Sequence, residues 1–292
     1  MLLDDLFAPS GVASRQQLLS VMGRKTLAAH LQAGAIERVW HGVYARQPPD
    51  LSMKLAGLDL MTGRRVVACL HTAAGMYGFG IESDSRIHIL DPGLRVRPNA
   101  RLMVHQRVGA PLRRIGTRLA TAPAWTAVEI ARLLRRPRAL ATLDAVLRSG
   151  TCTPVELEAA VSEQKGRRGI VAVRELLAHA NGRAESAMES ETRLVFIDGC
   201  LPEVELQYEI VDRWGKLWRV DFAWPWAKVV AEYDSMEWHA NPQAWKRDRF
   251  KQARLNDCGW TVLPIVSDDV RRHPADLVAR VFRHLDGARI AS

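Results

Sequence analysis

Residues 217–235 read LWRVDFAWPWAKVVAEYDS, and how this stretch pairs decides the fold of the C-terminal third. Two β-branched and aromatic runs, LWRVDFAW and VVAEYDS, flank PWAK, where Pro225 suits a turn. Closed symmetrically as an antiparallel hairpin, the runs put Trp224 opposite Val229 and Asp221 opposite Glu232. Directly opposed side chains have Cβ atoms roughly 4.5–5.5 Å apart. Asp234, two residues beyond Glu232, is then expected on the same face. Three carboxylates so placed repel one another, and a one-residue slip would bury the wrong set. A shared proton, a pair of arginines or a divalent cation would offset the repulsion. The alternative is an edge hairpin whose acids face solvent or pair with Arg219 and Lys228.

The flanking sequence gives the hairpin neighbours. Upstream, ESAMESETRLVFIDG reads as a helix begun by Ser186, with Glu189 completing an S-x-x-E capping box. Downstream come His239, a strongly charged helix in PQAWKRDRFKQARLNDCG, a buried strand in WTVLPIV and a last helix in DLVARVFRHL. Helix, hairpin, helix, strand, helix is an α/β layout with the acids at its centre. Hard oxygen ligands at this spacing suit Mg²⁺, which binds one or two carboxylates and keeps several waters. Such an ion polarises a phosphodiester and activates a water.

Composition places the whole chain among globular proteins: 292 residues, 48% hydrophobic and 25% charged. The net charge of +9 is lopsided, because residues 1–150 hold 21 Lys or Arg against 10 Asp or Glu, while residues 151–292 hold 20 against 22. A basic half joined to a neutral half suits a polyanion-binding module attached to something else. A merely solvated basic surface is the competing explanation. Cys69, Cys152, Cys200 and Cys258 fit no CxxC pattern and follow no secretory signal, so they are expected to be reduced core residues of a cytoplasmic protein. No run approaches the roughly 18 apolar residues of a membrane span.

In the first 50 residues Ser14 caps a helix in RQQLLSV, Met22-Gly23 breaks it, and RKTLAAHLQAG forms a second helix with Leu27 and Leu31 inward. AIERVWHGVYARQ follows as a hairpin about His41-Gly42. That order is a winged helix-turn-helix. Arg24, Lys25, Thr26 and His30 then lie on the exposed face of the recognition helix, with Arg38 and Arg46 on the wing, facing double-stranded DNA. Residues 51–180 read as a basic, mixed α/β middle region. Helices are expected in LSMKLAGLDLMTG and CLHTAAGMYGFG, strands in RIHILDP and RLMVHQRV, and a helix pair broken near Pro137. Arg95, Arg97, Arg101, Arg107, Arg113, Arg114 and Arg118 could track a DNA backbone or be simply solvated. His71, on an apolar helix face, reads as a hydrogen-bonded core residue.

The block from ESAMESETRLVFIDG through WRVDFAWPWAKVVAEYDSMEWH and RDRF to CGWTVLPI, residues 184–286, resembles the nuclease-like domain of actinobacterial proteins related to very-short-patch repair endonucleases, in the PD-(D/E)xK superfamily. Residues 1–50 resemble the winged helix of abortive-infection-type antitoxins. The resemblance implies an α+β protein overall, with a restriction-endonuclease-like C-terminal domain. It implies metal binding by Asp221, Glu232 and the helix acid Glu189, with Mg²⁺ or Mn²⁺ as cofactor. It gives His239 a role in water activation or phosphate contact, and Arg249, beside Asp248, a contact to the scissile phosphate. Asp234 stands where the superfamily has a lysine, and the zinc-binding cysteines of the repair enzymes are missing. Two functions stay open: a metal-dependent DNA endonuclease, or an inactive DNA-binding regulator or antitoxin with a toxin partner. Either is compatible with a homodimer and neither needs a membrane.

Overall fold

A computed structural model describes residues 6–7, 10–81, 84–94, 96–234 and 242–290; His239 and Arg95 lie outside these. The architecture is α+β. The chain divides into two compact units, residues 1–78 with 82–126, and residues 79–81 with 127–292. The division falls inside the stretch that sequence reading treats as one middle region.

The first unit opens with β1 (Val12–Ser14), α1 (Arg15–Leu19), α2 (Arg24–Gln32), β2 (Glu37–Trp40) and β3 (Val43–Ala45). Ser14 caps α1 reciprocally: its hydroxyl accepts from the Gln17 N–H, and its own N–H donates to Gln17 Oε1 at 2.8 Å. The hairpin turns at Gly42, whose φ of 73° suits glycine, and β1 joins it in the order β1-β3-β2. Leu18, Leu27, Ile36 and Tyr44 fill the small core between helices and sheet.

There follow α3 (Leu51–Thr62), β4 (Val67–Ala68), α4 (Leu70–Tyr77), β5 (Ile87–Leu90), β6 (Leu102–His105), β7 (Leu112–Ile115) and β8 (Arg118–Thr121). The five strands order as β6-β5-β4-β8-β7. α3 approaches β2 closely at Gly57, where a Cβ would lie 2.7 Å from Trp40 Cδ1, and the Trp40 indole donates to the Lys54 carbonyl at 2.7 Å. Two arginines of the expected track have structural work. Arg118 pairs with Asp59 at 2.5 Å, and Arg101 lies over the Trp40 ring and donates to the Val39 carbonyl. Arg113 and Arg114 are exposed on β7, an edge strand, where charge blocks pairing with another chain.

α5 (Pro123–Ala131) leads into the second unit: α6 (Arg136–Arg148), α7 (Pro154–Glu163), α8 (Ile170–Leu177), α9 (Ala187–Asp198), β9 (Glu205–Val211), β10 (Leu217–Trp224), β11 (Val229–Tyr233), α10 (Pro242–Asp257), β12 (Thr261–Ile265), α11 (Ser267–Arg271) and α12 (Pro274–Ile290). The sheet order is β12-β11-β10-β9, with β11 and β12 parallel across α10. The hairpin register is the expected one, Trp224 opposite Val229 and Phe222 opposite Ala231.

Buried ion pairs tie the helices of this unit together. Arg193 on α9 meets Asp144 on α6 at 2.7 Å, both buried, and Asp144 also accepts the Asn181 N–H at 2.7 Å. Glu191 on α9 takes Arg138 from α6 at 2.9 Å and Arg271 from α11 at 3.0 Å. Cys69 and Cys152 are buried as expected, whereas Cys200 is exposed at the end of α9. Among the described residues no helix is long and apolar enough to cross a membrane.

Candidate functional site

Two surfaces answer to the sequence expectations. On α2, Arg24, Lys25 and Thr26 are exposed and His30 is half-buried, while Leu27 turns into the core. Arg38 on β2 and Arg46 just beyond β3 are exposed as well. The order is a helix with its basic residues outward followed by a hairpin carrying two exposed arginines.

The second surface is the carboxylate group on the C-terminal sheet, built around a break in the pleat. Phe222 and Trp224 pack against Phe196 and Leu277, whereas Trp218, Val220 and Ala223 pack on the opposite face with Leu255. Residues 220 and 222 would share a face in a regular strand. The faces therefore switch at Asp221. Across the ladder, Val220 pairs with Tyr208 and Phe222 with Leu206, and Gln207 between them has a left-handed φ of 51°. A non-glycine residue held there stores about 1–3 kcal/mol, and such outliers gather at functional sites.

This irregularity aims Gln207 at the acids. Its side-chain amide donates to Glu189 Oε2 at 2.9 Å and to Asp221 Oδ1 at 3.4 Å. Asp221 Oδ2 accepts the Tyr233 N–H at 2.9 Å, linking it to the strand that carries Glu232. Lys251 on α10 places Nζ 2.8 Å from Glu232 Oε1 and donates to the Arg219 carbonyl at 2.6 Å. The Ser186 hydroxyl caps α9 by accepting the Glu189 N–H at 3.1 Å, but the expected reciprocal bond is absent. Glu189 Oε2 accepts instead from the Glu185 N–H at 2.8 Å, because Gln207 draws the carboxylate toward Asp221.

Burial raises the carboxyl pKa of all three acids. For Glu189 the Asp221 charge adds to the rise, and hydrogen bonds from Glu185, Ser186 and Gln207 oppose it. For Asp221 the Tyr233 N–H and Lys251 oppose it. For Glu232 Lys251 opposes it, while Asp221 and Asp248 add to it. Asp221 is thus the charge felt by both glutamates.

Gln207 bridges Glu189 and Asp221, and Glu232 feels the Asp221 charge from the next strand, but the three acids do not bring their donor atoms within 4.8 Å of one another. Asp234 does not join them: it is exposed, and its N–H donates to the Ile265 carbonyl at 2.8 Å. Arg249 is exposed on α10, with Nη1 3.2 Å from Gln252 Oε1. The candidate neutralisers Arg219 and Lys228 serve elsewhere; Arg219 pairs with Glu185 at 2.9 Å, and Lys228 lies against Gly259. Sequence reading missed Gln207 and Lys251. Lys251 had a signal, since it stands one helical turn before the buried Leu255 and so shares its inward face.

Asp221 and Glu232 offer hard carboxylate oxygens of the kind Mg²⁺ takes, while the Lys251 ammonium already lies 2.8 Å from Glu232 Oε1. Among the described residues, three donor atoms within 4.8 Å of one another occur elsewhere, at His71, Asp84 and His88.

Residues 66–179 match the AbiEi antitoxin C-terminal domain. Over its length the chain is similar to two uncharacterized proteins of Mycobacterium tuberculosis, one from strain CDC 1551 / Oshkosh and one from strain ATCC 25618 / H37Rv. Each is 61% identical over 270 residues, covering 92% of this chain and 100% of the relative.

Proposed function

We propose, for a chain that belongs to the family of these two mycobacterial proteins, a role as a DNA-binding regulator of the antitoxin type. One observation carries the reading: a pair of helices with an outward basic face lies N-terminal to the stretch that matches an antitoxin domain. Arg24 and Lys25 would meet the DNA from α2, with Arg38 and Arg46 gripping phosphate from the wing. The protein partner would be a toxin. The test is fluorescence anisotropy of the full chain on a duplex spanning its own promoter, beside an equally long unrelated duplex. Tighter binding to the promoter supports the reading; binding to neither removes it.

A second reading, Mg²⁺-dependent cutting of the bound DNA, is favoured by the grouping of Glu189, Asp221, Glu232 and Lys251. Bound there, the ion would polarise the phosphodiester and generate hydroxide from water. Asp221 and Glu232 would hold it, Gln207 would keep Asp221 and Glu189 in place, and Lys251 would supply positive charge beside Glu232. Supercoiled plasmid with Mg²⁺ or Mn²⁺ separates the readings. Nicking that disappears in Asp221→Ala supports cutting, and binding without nicking in either metal leaves the regulator alone.

A further inference from the structure

One histidine cluster in the first unit has the chemistry of a metal site. His71 lies in the first turn of α4, His88 on β5, His105 on the neighbouring β6 and Asp84 in the segment leading into β5. His88 Nε2 stands 3.0 Å from Asp84 Oδ2, and His88 Nδ1 stands 2.9 Å from His105 Nε2. The rings of His71 and His88 have centroids 5.4 Å apart, and donor atoms of His71, Asp84 and His88 all lie within 4.8 Å of one another.

We propose that His71, Asp84 and His88 form a transition-metal site, with Zn²⁺ as its ion and His105 as the hydrogen-bond partner that orients His88.

The spacing supports this. Ligands at about 2.0–2.1 Å from a tetrahedral Zn²⁺ stand roughly 3.3 Å from each other, so the Asp84–His88 approach already has the length of a shared ion. Two imidazoles and one carboxylate leave a fourth position for water. With Nε2 on the metal, His88 carries its proton on Nδ1 and donates it to His105 Nε2; a second-shell acceptor of this kind fixes the ligand's tautomer and orientation. Imidazole nitrogens select zinc-like ions over Mg²⁺, so this site and the carboxylate group would draw on different metals. Arg86 holds Asp84 with Nε at 3.0 Å from Oδ1 and Nη2 at 2.6 Å from Oδ2, fixing the carboxylate from its outer side. The backbone is shaped to the same end, because Leu70 takes a left-handed φ of 46° immediately before His71. The His88 N–H donates to Thr72 Oγ1 at 2.7 Å, tying β5 to α4 at the cluster.

Without metal the same groups can form a hydrogen-bond relay from His105 through His88 to the Asp84 carboxylate, and the experiment must separate the two. The full chain is dialysed against Zn²⁺ in excess Mg²⁺, and bound zinc is counted by mass spectrometry; Co²⁺ is then substituted and its visible absorption recorded. One Zn²⁺ per chain, a tetrahedral Co²⁺ band and a rise in Tm with Zn²⁺ are expected. His88 is buried and its loss could unfold the unit, so the ligands tested are His71→Gln and Asp84→Asn. Each should lower Zn²⁺ affinity by at least about 100-fold, with the far-ultraviolet spectrum and metal-free Tm within the parental range. His105→Gln should keep the stoichiometry and lose about 10–100-fold. Absence of stoichiometric Zn²⁺, or parental affinity in folded His71→Gln and Asp84→Asn, overturns the proposal.

Discussion

Lys251 Nζ on α10 stands 2.8 Å from Glu232 Oε1 on β11, so this ammonium comes from the helix rather than from the hairpin. The hairpin position that could have carried it, two residues after Glu232, holds the exposed Asp234. Charge compensation at the site therefore depends on α10 packing against the sheet through Leu255.

Lys251→Ala leaves Glu232 near Asp221 without its counter-charge and should cost about 1–3 kcal/mol. Adding Glu232→Gln removes the stranded charge, so the double variant should be more stable than Lys251→Ala alone. Urea unfolding of the four-member cycle checks this; strict additivity would show that the pair is not coupled.

Asp144→Ala strips a buried partner from Arg193 and from the Asn181 N–H and should lower stability by about 3–5 kcal/mol. The same change at Asp198, whose pair with Arg136 is exposed, should cost less than about 1 kcal/mol. Equal losses at the two positions in denaturant titration would contradict the placement of Asp144 in the core of the unit.

Gly57→Ala tests the contact between α3 and β2. In an open helix the change would gain about 1 kcal/mol from propensity. Here the added Cβ meets Trp40 at 2.7 Å, and overpacking of about 1–3 kcal/mol should reverse the sign. A raised Tm would show that the helix does not sit on Trp40.

Burial and the nearby Glu156 push the Cys152 thiol up to about 12. Above the ordinary thiol value the unfolded chain loses this proton and the native chain keeps it, so this group makes stability fall as pH rises from about 9 to 12. At pH 8, iodoacetamide should modify exposed Cys200 well before Cys152, as read by peptide mass mapping. Equal rates would show that Cys152 is not enclosed.

Much of this architecture is legible in the residues. The alternation of LWRVDFAW and VVAEYDS about PWAK fixes the Trp224–Val229 register, and the apolar stripes either side of Pro137 give α5 and α6. Other parts depend on partners far away in sequence. The face switch at Asp221 needs a left-handed Gln207 on another strand, which period-two reading does not contain. LRRIGTRLAT reads as an arginine cluster because β7 is an edge whose charges mask its alternation. His71 alone looks like a core histidine; only the pairing of β5 with β6 brings His88 and His105 beside it. Aromatic character alone does not decide burial either: Trp218 and Trp224 are buried, whereas Trp214 and Trp226 are exposed.

The DNA-binding claim is tested most directly by anisotropy of a labelled promoter duplex titrated with the full chain at a series of salt concentrations. The account predicts a steep fall of log affinity with log salt, one slope unit per phosphate contact at about −0.9 each, and a slope shallower by about one in Arg24→Ala and in Lys25→Ala. A salt-independent affinity, or variants that bind like the parent with the same slope, would contradict it.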